Sequence, residues 1–475
     1  MGQLSVWHLV GAAAIFLLIT AVGLLSGKKV KNASDFSSGG SGSGALIVVG
    51  MLVGTLVGGA STIGTAQLAF TNGFSGVWFT LGGGLGCALL GTVACKPLRH
   101  SGCSTLQQCV TREYGSMTGI FSAALSVVSI EIAVLAQMLS AVALIQSIVP
   151  METMPCALFC VALMLLYVLF GGVWGVGMGG VIKTVLLYAT TIVGGAMAIW
   201  LAGGPGALYE TLPKEQYFNI FGRGFGIDGG AGLSLVFGVL STQTYAQCVR
   251  VGRTDKIARK GVLLSALLIP PIGLGGVLIG MYMQISAPET NSAQVFGQFV
   301  LQHMPGVLGG VILATLLVAI VGASAGLCLG AATNVAQDLY KRARPQASDK
   351  QLLAVTRISI VIMLAVTLLF MSDSMQSAIL KWSFMSQALR ATMLFFPLLG
   401  ALFLPGKIER HFAAASMVVG PVMVFLGQIV IKTSFDPLFL GMGCALLLMI
   451  AGYAVQKFRG VSVPSECAKG AEKGK

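Results

Sequence analysis

Charge is what this chain has least of. Only 9% of its 475 residues are Asp, Glu, Lys or Arg, against about a quarter in a soluble domain, so it lacks the material for an ordinary water-facing surface. Histidine is scarce as well. The four present, His8, His100, His303 and His411, are scattered and fall mostly in polar connectors. With no clustered nucleophile, metal set or acid pair, a membrane-embedded enzyme lacks its machinery. The ten cysteines show neither a disulfide framework nor metal spacing, and most sit in apolar stretches, as Cys87, Cys95, Cys156, Cys160, Cys328 and Cys444 do. Cys156 and Cys160 share a helical face, but without His or acidic companions they read as small packed hydrophobes. A repeated short pore element and a soluble sensor domain are also missing, which argues against a channel or receptor.

What is abundant is apolar. Hydrophobic residues make up 55% of the chain, mean hydropathy is +0.87, and stretches of about 20 apolar residues recur along nearly its whole length. The reading is one all-α integral membrane domain with the lipid bilayer as its partner. The net charge of +13 does not mark a nucleic-acid binder, because the basic residues sit in short connectors, not on one continuous face.

Apolar windows bounded by charge, Gly or Pro predict thirteen transmembrane helices. They run near 5–25, 45–70, 76–95, 117–149, 155–173, 178–202, 230–249, 261–284, 306–336, 352–371, 377–403, 412–432 and 436–456. The first window has no basic residue before it and Lys28, Lys29 and Lys31 directly after, which fits a retained helix with its N-terminus outside, not a cleaved signal. On that topology 22 of the 29 basic residues fall in cytoplasmic connectors or the C-terminal tail, and only Lys214, Arg223 and Lys432 in external connectors. This is the asymmetry of a multi-pass plasma-membrane protein with a cytoplasmic C-terminus. Asn32-Ala33-Ser34 matches a glycosylation acceptor but lies on the cytoplasmic side and is discounted.

Glycine, at 64 residues, concentrates in the second and third windows. In the third, Gly82, Gly83, Gly84 and Gly86 read as close packing. In the second, Gly58 and Gly59 are followed at once by Ser61, Thr62 and Thr65, hydroxyls able to satisfy backbone groups freed by a break at mid-membrane depth.

Several stretches together resemble the sodium:solute symporter family. Asp35-Phe36 with its Gly-rich continuation looks like the entry to that family's first core helix, and Gly64 to Leu81 (GTAQLAFTNGFSGVWFTL) resembles the helix end and the link beyond it. Thr105-Leu106 to Tyr114-Gly115 is similar to a cytoplasmic TLxxxxxxxYG segment. Gly171-Gly172-Val173-Trp174 with Val181-Ile182 resembles the entry to the fifth core helix. Ala319-Ile320 to Asp338-Leu339-Tyr340-Lys341 resembles the eighth, ending in DLYK.

The resemblance implies two inverted five-helix repeats, at 45–202 and 230–403. One extra helix (1–26) precedes them, two (412–456) follow, and 457–475 forms a cytoplasmic tail. The first helix of each repeat is expected to break, the second near Gly238 to Gln243, with the solute site between the breaks. It further implies secondary active transport of a small polar or anionic metabolite by alternating access, coupled to Na⁺ or H⁺ and needing no cofactor. The family's sodium site maps onto carbonyls of Gly54, Val57 and Ala319 and onto hydroxyl positions occupied here by Gly322 and Ala323, which have no side-chain oxygen. Ser324 is adjacent but turned about 100°. A family Asp on the fifth core helix is replaced by Gly180, and Lys183 stands one turn along, where Gln is common. Two readings of Lys183 follow. Its ammonium occupies the degenerate sodium site, so transport is sodium-independent or proton-coupled, or it snorkels to cytoplasmic water.

For the solute, Ser61, Thr62, Gln137, Ser241, Gln243, Gln387 and Arg390 are the expected contacts. Ser383, Ser386, Gln387 and Arg390 form one polar helical stripe. Arg390 reads either as a carboxylate clamp or as an ion-pair partner of Glu131, the one acid well inside an apolar window. Glu131 is also the expected proton carrier, and at six residues' separation it and Gln137 need not line one path. Trp78, Trp174 and Tyr188 read as route lining or interface anchors. No feature encodes the solute's identity or the oligomeric state.

Overall fold

The computed structural model describes residues 4–27, 43–371 and 379–459. Asp35-Phe36, the glycosylation match, the three lysines after the first helix and most of the tail lie outside them. Among the described residues the chain is helical throughout apart from connectors and a single bridge between Ser43 and Gly252, as a backbone in lipid requires.

The principal helices are α1 (Val6–Gly27), α2 (Ala45–Leu56), α3 (Thr65–Asn72), α4 (Trp78–Leu89) and α5 (Leu106–Tyr114). Then come α6 (Ser116–Ile148), α7 (Thr153–Leu201), α8 (Phe225–Leu240), α9 (Gln243–Val251) and α10 (Asp255–Ser286). The set closes with α11 (Gly306–Asn334), α12 (Asp349–Leu369), α13 (Ile379–Phe403), α14 (Arg410–Leu426) and α15 (Leu438–Arg459). Among the described residues, eight helical segments are long and apolar enough to cross a membrane, or nine if α8 and α9, bent by 49°, count as one broken span; four shorter apolar helices accompany them.

The first break divides the second predicted span, and at two points the chain folds back on itself between neighbouring predicted spans. Gly73, at φ +56, reverses the chain so that Gly76 packs beside Thr65 and Ala69, residues that a straight helix would place about 16 Å and 10 Å away. Likewise the Tyr167 hydroxyl lies against Gly179, although twelve residues of straight helix span about 18 Å.

Burial separates centre from rim. The most apolar window of the segment Gly306–Ala343 is 94% buried, against 33% for α12 and 28% for α15. Lipid offers no hydrophobic drive to hold helices together, so close packing of small residues has to. Gly326 and Gly330 of α11 sit directly over Thr55 of α2 and Thr244 of α9, and Gly50 of α2 crosses α7 at Gly177 and Gly180. The foot of α2 is tied to the end of α9, where the Arg253 amide donates to the Ser43 carbonyl at 3.0 Å. The sequence missed the short helices Leu106–Tyr114 and Val295–His303, which are too brief to span and leave no 20-residue apolar signal.

Candidate functional site

The first break falls at Val57–Gly59. Helix α2 ends at Leu56, Val57 is extended (φ −93°, ψ 105°), and a π-helical turn, Ala60–Gly64, leads into α3. The freed groups are met locally. The Gly58 carbonyl accepts from Ser61 Oγ (2.9 Å) and Thr62 Oγ1 (2.8 Å), and the Gly58 amide donates to Ser61 Oγ at 2.8 Å. Gln137 of α6 accepts the Gly59 amide at 2.6 Å. A Cβ at Gly58 would stand 2.5 Å from that of Ala323, so the sequence GG is needed for α11 to approach.

The second break falls at Ser241–Thr242. Ser241 Oγ donates to the Phe237 carbonyl (2.9 Å) and Thr242 Oγ1 to the Gly238 carbonyl (2.6 Å). Arg390, wholly buried, reaches this break from α13. Its Nη1 donates to Thr242 Oγ1 at 2.9 Å, its Nη2 to Ser386 Oγ at 2.8 Å and its Nε to the Ser386 carbonyl at 3.1 Å. Ser386 in turn donates to the Ser129 carbonyl of α6. Gln387 packs on Gly238, with its amide oxygen buried and free of a hydrogen bond.

Lys183 is 2% exposed. Its ammonium donates to the carbonyl oxygens of Gly54 (2.5 Å) on α2 and Ala319 (2.7 Å) on α11. Gly322 faces the same spot, with Lys183 Nζ and the Tyr167 hydroxyl both close to where its Cβ would be. Snorkelling is ruled out by that burial. The position of the family's Asp is sterically closed, since a Cβ on Gly180 would run into the Gly50 carbonyl. Ser324 turns away, as the helical offset requires, and donates to the Ile320 carbonyl at 3.0 Å. Val57 has its amide on the Val53 carbonyl, and Ala323 packs against Gly58.

Several expected site residues are engaged by neighbouring groups. Gln243 does not face the space between the breaks: it opens α9, and its amide oxygen caps the Leu106 amide of α5 at 2.9 Å. Ser61 and Ser241 direct their hydroxyl protons to backbone carbonyls of their own breaks, because helix ends inside lipid leave those carbonyls no water. Glu131 makes no pair with Arg390. It accepts from Thr367 Oγ1 of α12 at 2.6 Å, on a different side of α6 from Gln137. Trp78 and Tyr188 are each tied to a backbone carbonyl: the indole donates to that of Ile220 and the phenol to that of Leu268, each at 2.6 Å. The Trp174 side chain lies outside what is described. Cys156 and Cys160 are buried in apolar clusters.

Sequence reasoning did not single out Tyr167 as a neighbour of Lys183, or Ser129 beneath Ser386. A Tyr near the end of an apolar window carries no signal that the chain will turn it back against Gly179. Thr242 was legible as part of an interruption, but not as an Arg390 partner.

The sodium:solute symporter family profile matches residues 38–420. High-affinity choline transporter 1 of Drosophila melanogaster is 23% identical over 484 residues, covering 95% of this chain and 74% of that protein. The Caenorhabditis elegans protein of the same name is 24% identical over 463 residues, covering 88% and 78%. Among solved structures, a substrate-bound, outward-open Na⁺-coupled sialic acid symporter superposes with a TM-score of 0.80 at 16% identity, covering 96% of this chain and 98% of that one. Mhp1, a nucleobase-cation-symport-1 family transporter closed on bromovinylhydantoin, gives 0.62 at 11% identity, covering 92% and 98%. The chain is a multi-pass membrane transporter and not an enzyme, and it belongs to the sodium:solute symporter family.

Proposed function

We propose that this protein is a secondary active transporter whose Lys183 ammonium stands where its relatives hold a coupling sodium ion, so that solute crosses without sodium. The observation that carries this reading is the pair of donations from Lys183 Nζ to the carbonyls of Gly54 and Ala319. Sodium is a hard cation that gathers about six oxygens, and here one ammonium takes two of the expected carbonyls while Gly322 and Ala323 supply none. In the two-repeat arrangement (45–202 and 230–403, thirteen spans in all), α2 and α11 are elements that must separate for access to alternate. An ammonium that joins them when charged and lets go when neutral can do what a binding and leaving ion does. Proton coupling or solute exchange follows.

The solute is a small polar or anionic metabolite held between the breaks by Thr62, Gln137, Gln387 and Arg390. A buried guanidinium with only hydroxyl and carbonyl partners favours a carboxylate beside it and repels a cation, which sets this pocket apart from one for choline, the solute in the two relatives' name. Glu131 favours a second reading of the coupling. Its second oxygen is buried without a hydrogen bond, so it is a candidate proton carrier apart from Lys183. Charge asymmetry supports a plasma-membrane orientation with the N-terminus outside.

The test is the melting temperature of the purified protein in NaCl and in KCl across pH, alongside a screen of small metabolites and uptake of any hit into liposomes. The expected result is no sodium-specific stabilisation and uptake unchanged by a sodium gradient. In Lys183→Ala the carbonyls of Gly54 and Ala319 lose their donor, and a lower melting temperature is expected, still without sodium-specific stabilisation because Gly322 and Ala323 supply no oxygen. A strict sodium requirement in the wild-type protein sinks the reading.

A further inference from the structure

A lateral crevice of about 720 Å³ lies between the end of the helical segment Ala60–His100 and the first three turns of α10. It opens on the face that carries most of the molecule's basic residues. One side of α10 supplies Lys256, Arg259 and Lys260 and then, one turn deeper, Leu263, Leu264 and Leu267. The spacing of three and four puts all six on one stripe that changes from cationic to aliphatic part-way along. Lys96 adds a fourth cation from the opposite wall. A π-helical turn, Leu90–Ala94, interrupts that wall, and Gly91 packs directly against Val262 and Leu263.

Basic residues at a membrane interface are ordinary, and most snorkel into water. Two features distinguish this set. Among the described residues, none of its four cations is paired with a carboxylate. The lone acid of the crevice, Asp255, is already taken by Arg99 and by His100, each at 2.7 Å. Beneath the cations the crevice runs along an apolar floor open to lipid, with Leu267 74% exposed.

We propose that this crevice is a binding site for one anionic phospholipid, its phosphate held by Lys96, Lys256, Arg259 and Lys260 and an acyl chain laid along Leu263, Leu264 and Leu267. Charge and shape choose the occupant together. A free anion uses the rim but not the floor, and a zwitterionic lipid brings its own cation into a cluster of four. The place is consequential, because Arg99, bonded to Asp255, also donates to the carbonyls of Val249 (2.8 Å) and Gly252 (2.7 Å), at the cytoplasmic end of the second broken helix. A lipid seated here braces the foot of α9, so it stabilises the folded transporter.

The test compares melting temperatures of the detergent-purified full chain with short-chain phosphatidylglycerol, short-chain phosphatidylcholine and glycerol 3-phosphate. Phosphatidylglycerol is expected to raise the temperature most, and the triple variant K256Q/R259Q/K260Q to lose that shift while keeping its lipid-free melting temperature. A control pair on the same face, K341Q/R344Q, keeps the shift. Should the triple variant not fold, Lys96→Gln is assayed instead by counting retained phosphatidylglycerol in native mass spectrometry, with about fivefold weaker retention expected per removed charge. Equal stabilisation by phosphatidylcholine or by glycerol 3-phosphate overturns the proposal. So does loss of the shift in the control pair, or full retention of it in the crevice variants.

Discussion

A guanidinium keeps its proton at any ordinary pH, so a fold that buries Arg390 must surround it with acceptors. It does so with two hydroxyls and a carbonyl, and no carboxylate. Lysine cannot reproduce that fork. Arg390→Lys is therefore expected to fold normally by size-exclusion chromatography and to weaken binding of a carboxylate solute about tenfold or more, read as a rise in uptake KM. Uptake of a carboxylate solute with unchanged KM would remove Arg390 from the solute site. Lys183 is the complementary case. Its improbable place in an apolar window marked it, and family resemblance pointed to the carbonyls of Gly54 and Ala319. That one side chain reaches both was not legible, because it depends on how closely α2, α7 and α11 approach. Gly180 shows why they approach so closely, since a side chain there, such as the family's Asp, would meet the Gly50 carbonyl of α2.

At the scale of elements, the breaks are what place polar atoms at mid-depth. Each uses its own hydroxyls to cap the backbone it frees, which is why Ser61 and Ser241 are legible in the sequence as part of the device. Gly58→Ala sets a methyl against Ala323 and is expected to destabilise the protein by about 1–3 kcal/mol, measured as a lower melting temperature. Gly443→Ala, where nothing lies within 4 Å of the new Cβ, is its control and is expected to melt as the wild type does. Equal melting of the two variants would mean that α11 does not press on the break. The reversals at Gly73 and between Tyr167 and Gly179 are the opposite lesson. The first joins α3 to α4 through a short 3₁₀ turn and the second lies within α7, so apolar windows mark the spans on either side better than a count of unbroken helices does.

For the whole molecule, the distribution of basic residues sets an expectation about orientation. A membrane-impermeant maleimide is expected to label Lys432→Cys in intact cells, and Lys256→Cys only after permeabilisation, in a background lacking Cys444 and Cys467. The remaining cysteines among the described residues are buried. Labelling in the reverse pattern would invert the topology and with it the assignment of the cytoplasmic face.

The sequence by itself determined that the chain is helical and lives in lipid, where its two interruptions fall, and that a lysine and an arginine stand within its apolar windows. Those properties follow from local composition, because each apolar window must satisfy its own backbone wherever it packs. Only the tertiary structure decided which polar groups meet. Lys183 bridges Gly54 and Ala319, Arg390 joins Thr242 and not Glu131, and Gln243 leaves the centre for α5. Such pairings depend on interhelical approach and rotation, which small residues such as Gly50, Gly180 and Gly326 set at distances no single window encodes.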